Sequence, residues 1–223
     1  MINFNLDRYN KYLETDHIGR NIIYLKKVDS TNNFASHLIK SKKEKYESLD
    51  GTVILAETQE KGRGRLERIW LSPSGGLWFT ILLRTELKEK ELPEVTLIAA
   101  YSVASVIDGQ YGINAVIKWP NDIYYRQSKL GGILTEVEKV NGSVFLIIGI
   151  GINANLDVVD IAPLIKESTS IKIISGKDIE REQLLSKILL NFEKDYSYYL
   201  RTKDFKTIFK KIEKILTYDF KNT

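Results

Sequence analysis

The chain of 223 residues has no cysteine, two histidines, four prolines and one methionine. Without cysteine there is neither a disulfide framework nor a thiolate metal site. His17 and His37 alone leave little for a zinc centre, so any metal chemistry must run on carboxylates. No apolar run approaches the ~20 residues of a spanning helix, and the opening MINFNLDRYNKYLE lacks the apolar core of a signal peptide. The expectation is a cytoplasmic protein with no membrane partner. Two familiar phosphate motifs are missing as well. Gly62-Gly64 and Gly149-Gly151 both lack the third glycine of a dinucleotide fingerprint, and no Gly-Lys-Ser/Thr exists for a P-loop.

What is present supports one substantial core, since 43% of the residues are hydrophobic. A formal net charge of +4 points to anionic partners, whether nucleotides, nucleic acid or an acidic protein, without choosing among them. Residues 1–29 show no clear period up to a strand at 21–28. Ser30-Thr31-Asn32 can cap a helix with apolar positions Phe34, Leu38 and Ile39. Asp50-Gly51 reads as a turn, TVILAE as a short strand, and LWFTILLR, apolar on both faces, as a buried strand. A helix follows from Pro93, its stripe running through Leu97, Tyr101, Ala104 and Ile107 to Gly109. AVIKW and DIYY are short strands separated by Pro120-Asn121.

Asn141-Gly142 between two apolar runs marks a two-residue hairpin turn. Pairing Val140 with Ser143 places Gly132 opposite Gly151 and Leu134 opposite Gly149, so Gly132, Gly149 and Gly151 share one face. From Asp178 onward the pattern is helical.

Three stretches carry chemistry. In KGRGRLERIW, Gly62 and Gly64 allow close backbone approach, while Arg63, Arg65 and Arg68 offer forked donors for phosphate or carboxylate and Trp70 a stacking surface. A solvated loop with a core tryptophan is an equally good reading of that stretch alone. In KWPNDIYYRQSKLGGILTE, Lys118 and Lys129 suit phosphate and Asn121 and Asp122 suit magnesium or its water, although Pro-Asn-Asp is most often only a turn. Strict alternation sets Lys129 on the opposite face from Gly132, so a joint role requires a bulge. In GIGINAN, the glycines leave room for a flat ligand and Asn153 and Asn155 offer amides for base or ribose edges. Helix packing over those glycines is the plainer alternative.

Together these segments resemble the biotin–protein ligase family, through DSTN at 29–32, AETQEKGRGRLERIWLSPSGGLW at 56–78, KWPND at 118–122, KLGGILTE at 129–136 and GIGINAN at 149–155. The resemblance implies an α+β fold, a central mixed or antiparallel β-sheet packed by helices, of the class II synthetase-like catalytic-domain type. It implies one catalytic domain over 1–223, with a core at 21–157 and a helical part at 178–215. Only 29 residues precede Ser30, too few for the helix-turn-helix of repressor relatives, so no DNA partner is expected. The small SH3-like domain in which relatives usually continue is also not expected.

The implied reaction has two steps. Biotin and ATP, with Mg2+, give biotinyl-5′-adenylate and pyrophosphate, and a lysine of a biotin carboxyl carrier domain then takes the biotinyl group. Carried over by residue, Ser30, Thr31, Asn32, Gln59, Gly62, Arg63, Gly64, Arg65, Lys129, Gly132, Ile133, Leu134, Gly149 and Gly151 would bind biotin. Arg65, Arg68, Trp70, Lys118, Asn121, Asp122 and Asn153 would serve ATP. Lys129, Arg63 and Arg65 would be catalytic, with Asp122 a magnesium ligand and candidate base. A lid formed by the arginine loop is expected over the intermediate, loosened by loss of Arg63. Lipoate–protein ligase is the nearest alternative and a nucleic-acid-binding module the alternative of another class. Self-association into a homodimer stays open.

Overall fold

The structure, a computed structural model, describes residues 3–41, 46–161 and 168–218. Its strands are β1 (Ile22–Val28), β2 (Thr52–Gln59), β3 (Leu77–Thr85), β4 (Val116–Lys118), β5 (Asp122–Tyr125), β6 (Ser128–Val140), β7 (Ser143–Ile152) and β8 (Leu216–Thr217). They form one sheet in the order β1-β2-β3-β7-β6-β5-β4-β8. The pairs β1/β2 and β4/β8 are parallel and the others antiparallel, so the sheet is mixed as expected. The run LWFTILLR forms β3, an interior strand between β2 and β7, with Leu77 to Leu83 all buried. Burial on both faces is why its apolar residues do not alternate.

The helices are α1 (Leu6–Tyr12), α2 (Thr31–Ser41), α3 (Leu92–Tyr111), α4 (Val158–Ile161), α5 (Ile171–Ser175), α6 (Arg181–Thr202) and α7 (Phe205–Ile212). One sheet face, through Leu55, Phe79, Ile81, Ile148 and Ile150, packs on α1, α3 and α6. On the other face α2 and the 3-10 turn Tyr46–Leu49 cover Ile54, Leu82, Phe145 and Ile147, through Ala35, Ile39 and Leu49. Each fully buried Leu, Ile or Phe adds about 1.5–3 kcal/mol to such layers. The uncovered part of this second face is where the site lies.

Two expectations need correction. The helix set to end at Gly109 continues to Tyr111 and is capped by Gly112, whose φ of 64° is the left-handed conformation that glycine favours. Contrary to the expectation of no such run, the stretch from Glu89 to Tyr111 is long and apolar enough, by length and composition alone, to cross a membrane. Its apolarity has a local cause, because Val95, Ile98, Val103 and Ile107 are buried in the core. Helix α1, in the segment without a clear period, is only seven residues long, with Asn5 capping the Arg8 N–H and Tyr9 its buried anchor.

The hairpin has the expected register, with Gly132 opposite Gly151 and Leu134 opposite Gly149. The bulge is also present. Asp122 pairs with Gly132 and Ile123 with Gly131, but Tyr124 pairs with Lys129, so Leu130 is passed over and turns into the core. That shift lets Lys129 reach the face it shares with Gly132.

Candidate active site

A cavity of about 310 Å³ opens on the second sheet face, at the small end of the usual small-molecule range. Its floor is the glycine strip of β6 and β7, one wall is the start of α2, the other is the loop at 118–122, and its roof is the segment 61–71.

That roof is a narrow ribbon. Gln59 bridges Ser72, the Trp70 N–H donates to the Gly62 carbonyl, Arg63 bridges Ile69, and the Gly64 N–H donates to the Arg68 carbonyl. The tip turns through Leu66 at φ 54°, a conformation uncommon for a side chain of that size. We call this ribbon the flap. Leu66 and Ile69 stand 84% and 78% exposed on it. Gly62 does not line the cavity. A Cβ there would meet the Trp70 carbonyl at 2.2 Å, so its role is to let the two arms of the flap touch.

At the α2 end lies a polar network. The Thr31 N–H donates to Gln59 Oε1 at 2.8 Å, and Gln59 Nε2 donates to Ser72 Oγ at 2.7 Å. Thus Gln59, from β2, satisfies a first-turn amide that the sequence assigned to a local hydroxyl cap. Thr80 Oγ1 lies within hydrogen-bonding distance of Thr31 Oγ1 and Asn32 Oδ1, and Asn32 Nδ2 donates to Glu136 Oε2 at 2.7 Å. Ser30, at the helix start, is buried and lines the cavity. Hydrogen bonds from Asn33 and the Ser30 N–H outweigh the burial of Asp29 and hold its carboxyl below the ordinary range, fixing the turn into α2.

The glycine strip already has occupants. A Cβ on Gly149 would stand 2.3 Å from Asn32 Oδ1, and a Cβ on Gly151 2.7 Å from Trp70 Nε1. Gly132 likewise faces the Trp70 ring. Trp70 therefore lies over the strip, edge-on to Trp78 with ring centroids 6.4 Å apart, and anchors the flap. Its Nε1–H and the Arg63 Nε–H are buried without a partner among the described residues. An unmet buried donor costs about 1–3 kcal/mol, which a ligand acceptor would relieve.

Charge gathers toward the 118–122 loop. The cavity lining carries five cations, Arg63, Arg65, Arg68, Lys118 and Lys129, against one anion, Asp122. Lys129 Nζ sits 2.7 Å from Asp122 Oδ2 and 5.1 Å from the centre of a Trp70 ring. Arg65 Nη1 donates to Asn121 Oδ1 at 2.9 Å, joining flap to loop, and Asn121 in turn exchanges two hydrogen bonds with the Ile133 backbone. Arg63 instead turns inward to Glu136 Oε2 at 2.7 Å.

Most of the expected site residues are thus brought together, Leu134 included. Asn153 is not. It is buried outside the cavity, with Nδ2 donating to the Thr169 carbonyl at 2.9 Å and more weakly to that of Lys129, so it pins the strand start. No group of three or more His, Asp or Glu suited to a metal occurs among the described residues. Asp122, the one carboxylate in the cavity lining, is already paired with Lys129 and by itself gives too few oxygen ligands to cage an ion. Glu136 and Thr80 were missed as site residues. Only the hairpin register, which sets Glu136 on the face of Gly132 and Leu134, could have pointed to the first.

The sequence model of the biotin/lipoate A/B protein ligase family matches residues 24–153. A bifunctional ligase/repressor BirA of Bacillus spizizenii is 38% identical over 191 residues, covering 84% of this chain and 57% of that protein. Among solved structures, the biotin protein ligase from Aquifex aeolicus in complex with biotin and ATP is similar at TM-score 0.70 and 35% identity, covering 89% of this chain and 79% of that one. The Leishmania major biotin protein ligase in complex with biotinyl-5-AMP is similar at TM-score 0.69 and 25% identity, over 89% and 82%.

Proposed function

The chain belongs to the biotin/lipoate A/B protein ligase family, and from that premise we propose that it is a biotin–protein ligase. It activates biotin with ATP to biotinyl-5′-adenylate and transfers the biotinyl group to a lysine of a biotin carboxyl carrier domain. The observation that carries this reading is the polarity of one cavity. Uncharged amide and hydroxyl groups (Thr31, Asn32, Gln59) form one end, and Lys129, Arg65, Arg68 and Lys118 gather at the other. A ligand with a neutral, hydrogen-bonding head and an anionic tail matches that arrangement. The biotin and ATP bound by the Aquifex relative and the adenylate bound by the Leishmania relative support the choice.

In this reading the biotin ureido group lies among Ser30, Thr31, Asn32 and Gln59, and its carboxylate reaches toward Lys129. Two anions must approach each other, so fixed cations lower the repulsion and stabilise charge building on the phosphoryl oxygens. Lys129 leaves Asp122 in part to do so, and Asp122 is then placed as the base for the incoming lysine. Arg65 and Arg68 serve the phosphates, with magnesium entering as part of the nucleotide substrate. The Arg65–Asn121 bond closes the flap over a mixed anhydride that water would destroy. Trp70 positions the flap and offers its Nε1–H to the ligand.

Pyrophosphate release tests the reading. Magnesium, ATP and biotin should support it, while lipoate in place of biotin should not. Release with lipoate alone would reassign the substrate within the family. The protein is expected to work in the cytoplasm.

A further inference from the structure

We propose that Glu136 is a positioning residue that sets the direction in which the substrate enters. The inference rests on the ligase reading above. One oxygen, Oε2, accepts both the Arg63 Nη2–H and the Asn32 Nδ2–H at 2.7 Å. A single carboxylate therefore ties the inner arm of the flap to α2 and to the floor, since Asn32 also sits against Gly149. The tie fixes which face of the Asn32 amide is presented, because Nδ2 is held by Glu136 and the Leu134 carbonyl while Oδ1 is held by Thr80.

The charge matters as much as the geometry. Glu136 lies on the pocket face of β6, four residues from Gly132, or about 13 Å along the strand. Gly132 is the position that pairs with Asp122, beside Lys129. Neutralised by Glu136, Arg63 no longer competes with Lys129 for the substrate carboxylate. An anionic tail is then drawn to the far end and the uncharged head is left at Asn32. The same pairing occupies one Arg63 nitrogen while Nε stays buried and unpartnered, a donor kept for the ligand.

The test is a cycle of Glu136→Gln, Arg63→Met and the double variant, with biotin and ATP varied separately in the pyrophosphate assay. Each single variant should raise the KM for biotin about tenfold, the effect of losing one charge-assisted bond. The KM for ATP should hold, and the double variant should be no worse than the singles. An unchanged KM for biotin in E136Q, or single effects that multiply in the double variant, would overturn the role. A second measurement does not depend on the ligase reading. Trypsin should cut the flap, between Lys61 and Arg68, several-fold faster in E136Q than in the parent. Equal protection overturns the tie even if the parent shows no activity with biotin, an outcome that would itself sink only the functional reading.

Discussion

At Lys129 an ammonium is held between a carboxylate and an indole face, at 2.7 Å from Asp122 and 5.1 Å from Trp70. A charge so placed is kept ready for an anion and is not needed by the core. Lys129→Ala should lower adenylate formation by two orders of magnitude or more, on the order of what one lost electrostatic stabiliser removes, with the melting temperature nearly unchanged. Pyrophosphate release at the parental rate would refute the assignment. Gly149 is the opposite case. Its missing Cβ leaves the space in which the Asn32 amide sits, and that amide is tied on three sides. Gly149→Ala should cost about 1–3 kcal/mol by overpacking and weaken biotin binding, measured by thermal melting and calorimetry. The hairpin register was readable from Asn141-Gly142, because a two-residue turn dictates it, and so was the need for a bulge at Lys129. The tenant of the strip was not readable. Trp70 reaches Gly132 and Gly151 through the fold of the flap, which no local pattern encodes.

At the scale of elements, the flap is held by few groups. Short backbone bridges define its arms, Glu136 fixes its inner arm, and the Arg65–Asn121 bond spans the mouth. The sequence reading gave the lid to Arg63; the geometry gives the closing contact to Arg65 and the inner tie to Arg63. Arg65→Gly should therefore release biotinyl-adenylate into solution faster than the parent, seen as more free adenylate after gel filtration. Equal retention would count against the closing role. A second junction holds α6 to the sheet. Burial would raise the Glu57 carboxyl, but the Arg181 guanidinium, the Phe4 N–H and the Tyr24 hydroxyl outweigh it and keep it below the ordinary carboxylate value. The Tyr24 hydroxyl is pushed up to about 12, by burial first and then by this bond. A depressed carboxylate contributes stability that is present above its unfolded pKa and lost as pH falls through its folded one. Glu57→Gln should leave Arg181 buried without its countercharge and cost about 3–5 kcal/mol at neutral pH. The deficit should shrink below the ordinary carboxylate range, and a deficit that does not change with pH would refute this account. The partners come from residues 4, 24, 57 and 181, too far apart in the chain for any sequence window to join them.

Across the whole molecule, an asymmetric covering of one mixed sheet makes the site. Helices α1, α3 and α6 bury one face, and α2 with the Tyr46–Leu49 turn covers only part of the other. The bare part, made of glycine-bearing β6 and β7, becomes a floor once the flap closes above it. The sequence made the central strands and the hairpin legible, because each carries its own turn or pattern signal, whereas the convergence of Ser30, Arg63, Lys129 and the glycines came through the family resemblance. It did not distinguish Asn153, a buried peg, from pocket residues, since an amide beside a glycine strip suits both roles. The central claim is that this one cavity joins biotin to AMP. Mass spectrometry of the purified protein after incubation with biotin, ATP and magnesium tests it most directly. The account predicts biotinyl-5′-adenylate bound to the parent, lost in the Lys129→Ala variant, and discharged onto one lysine when a biotin carboxyl carrier domain is added. A parent that binds biotin but yields no adenylate, with carrier domain or without, would contradict it.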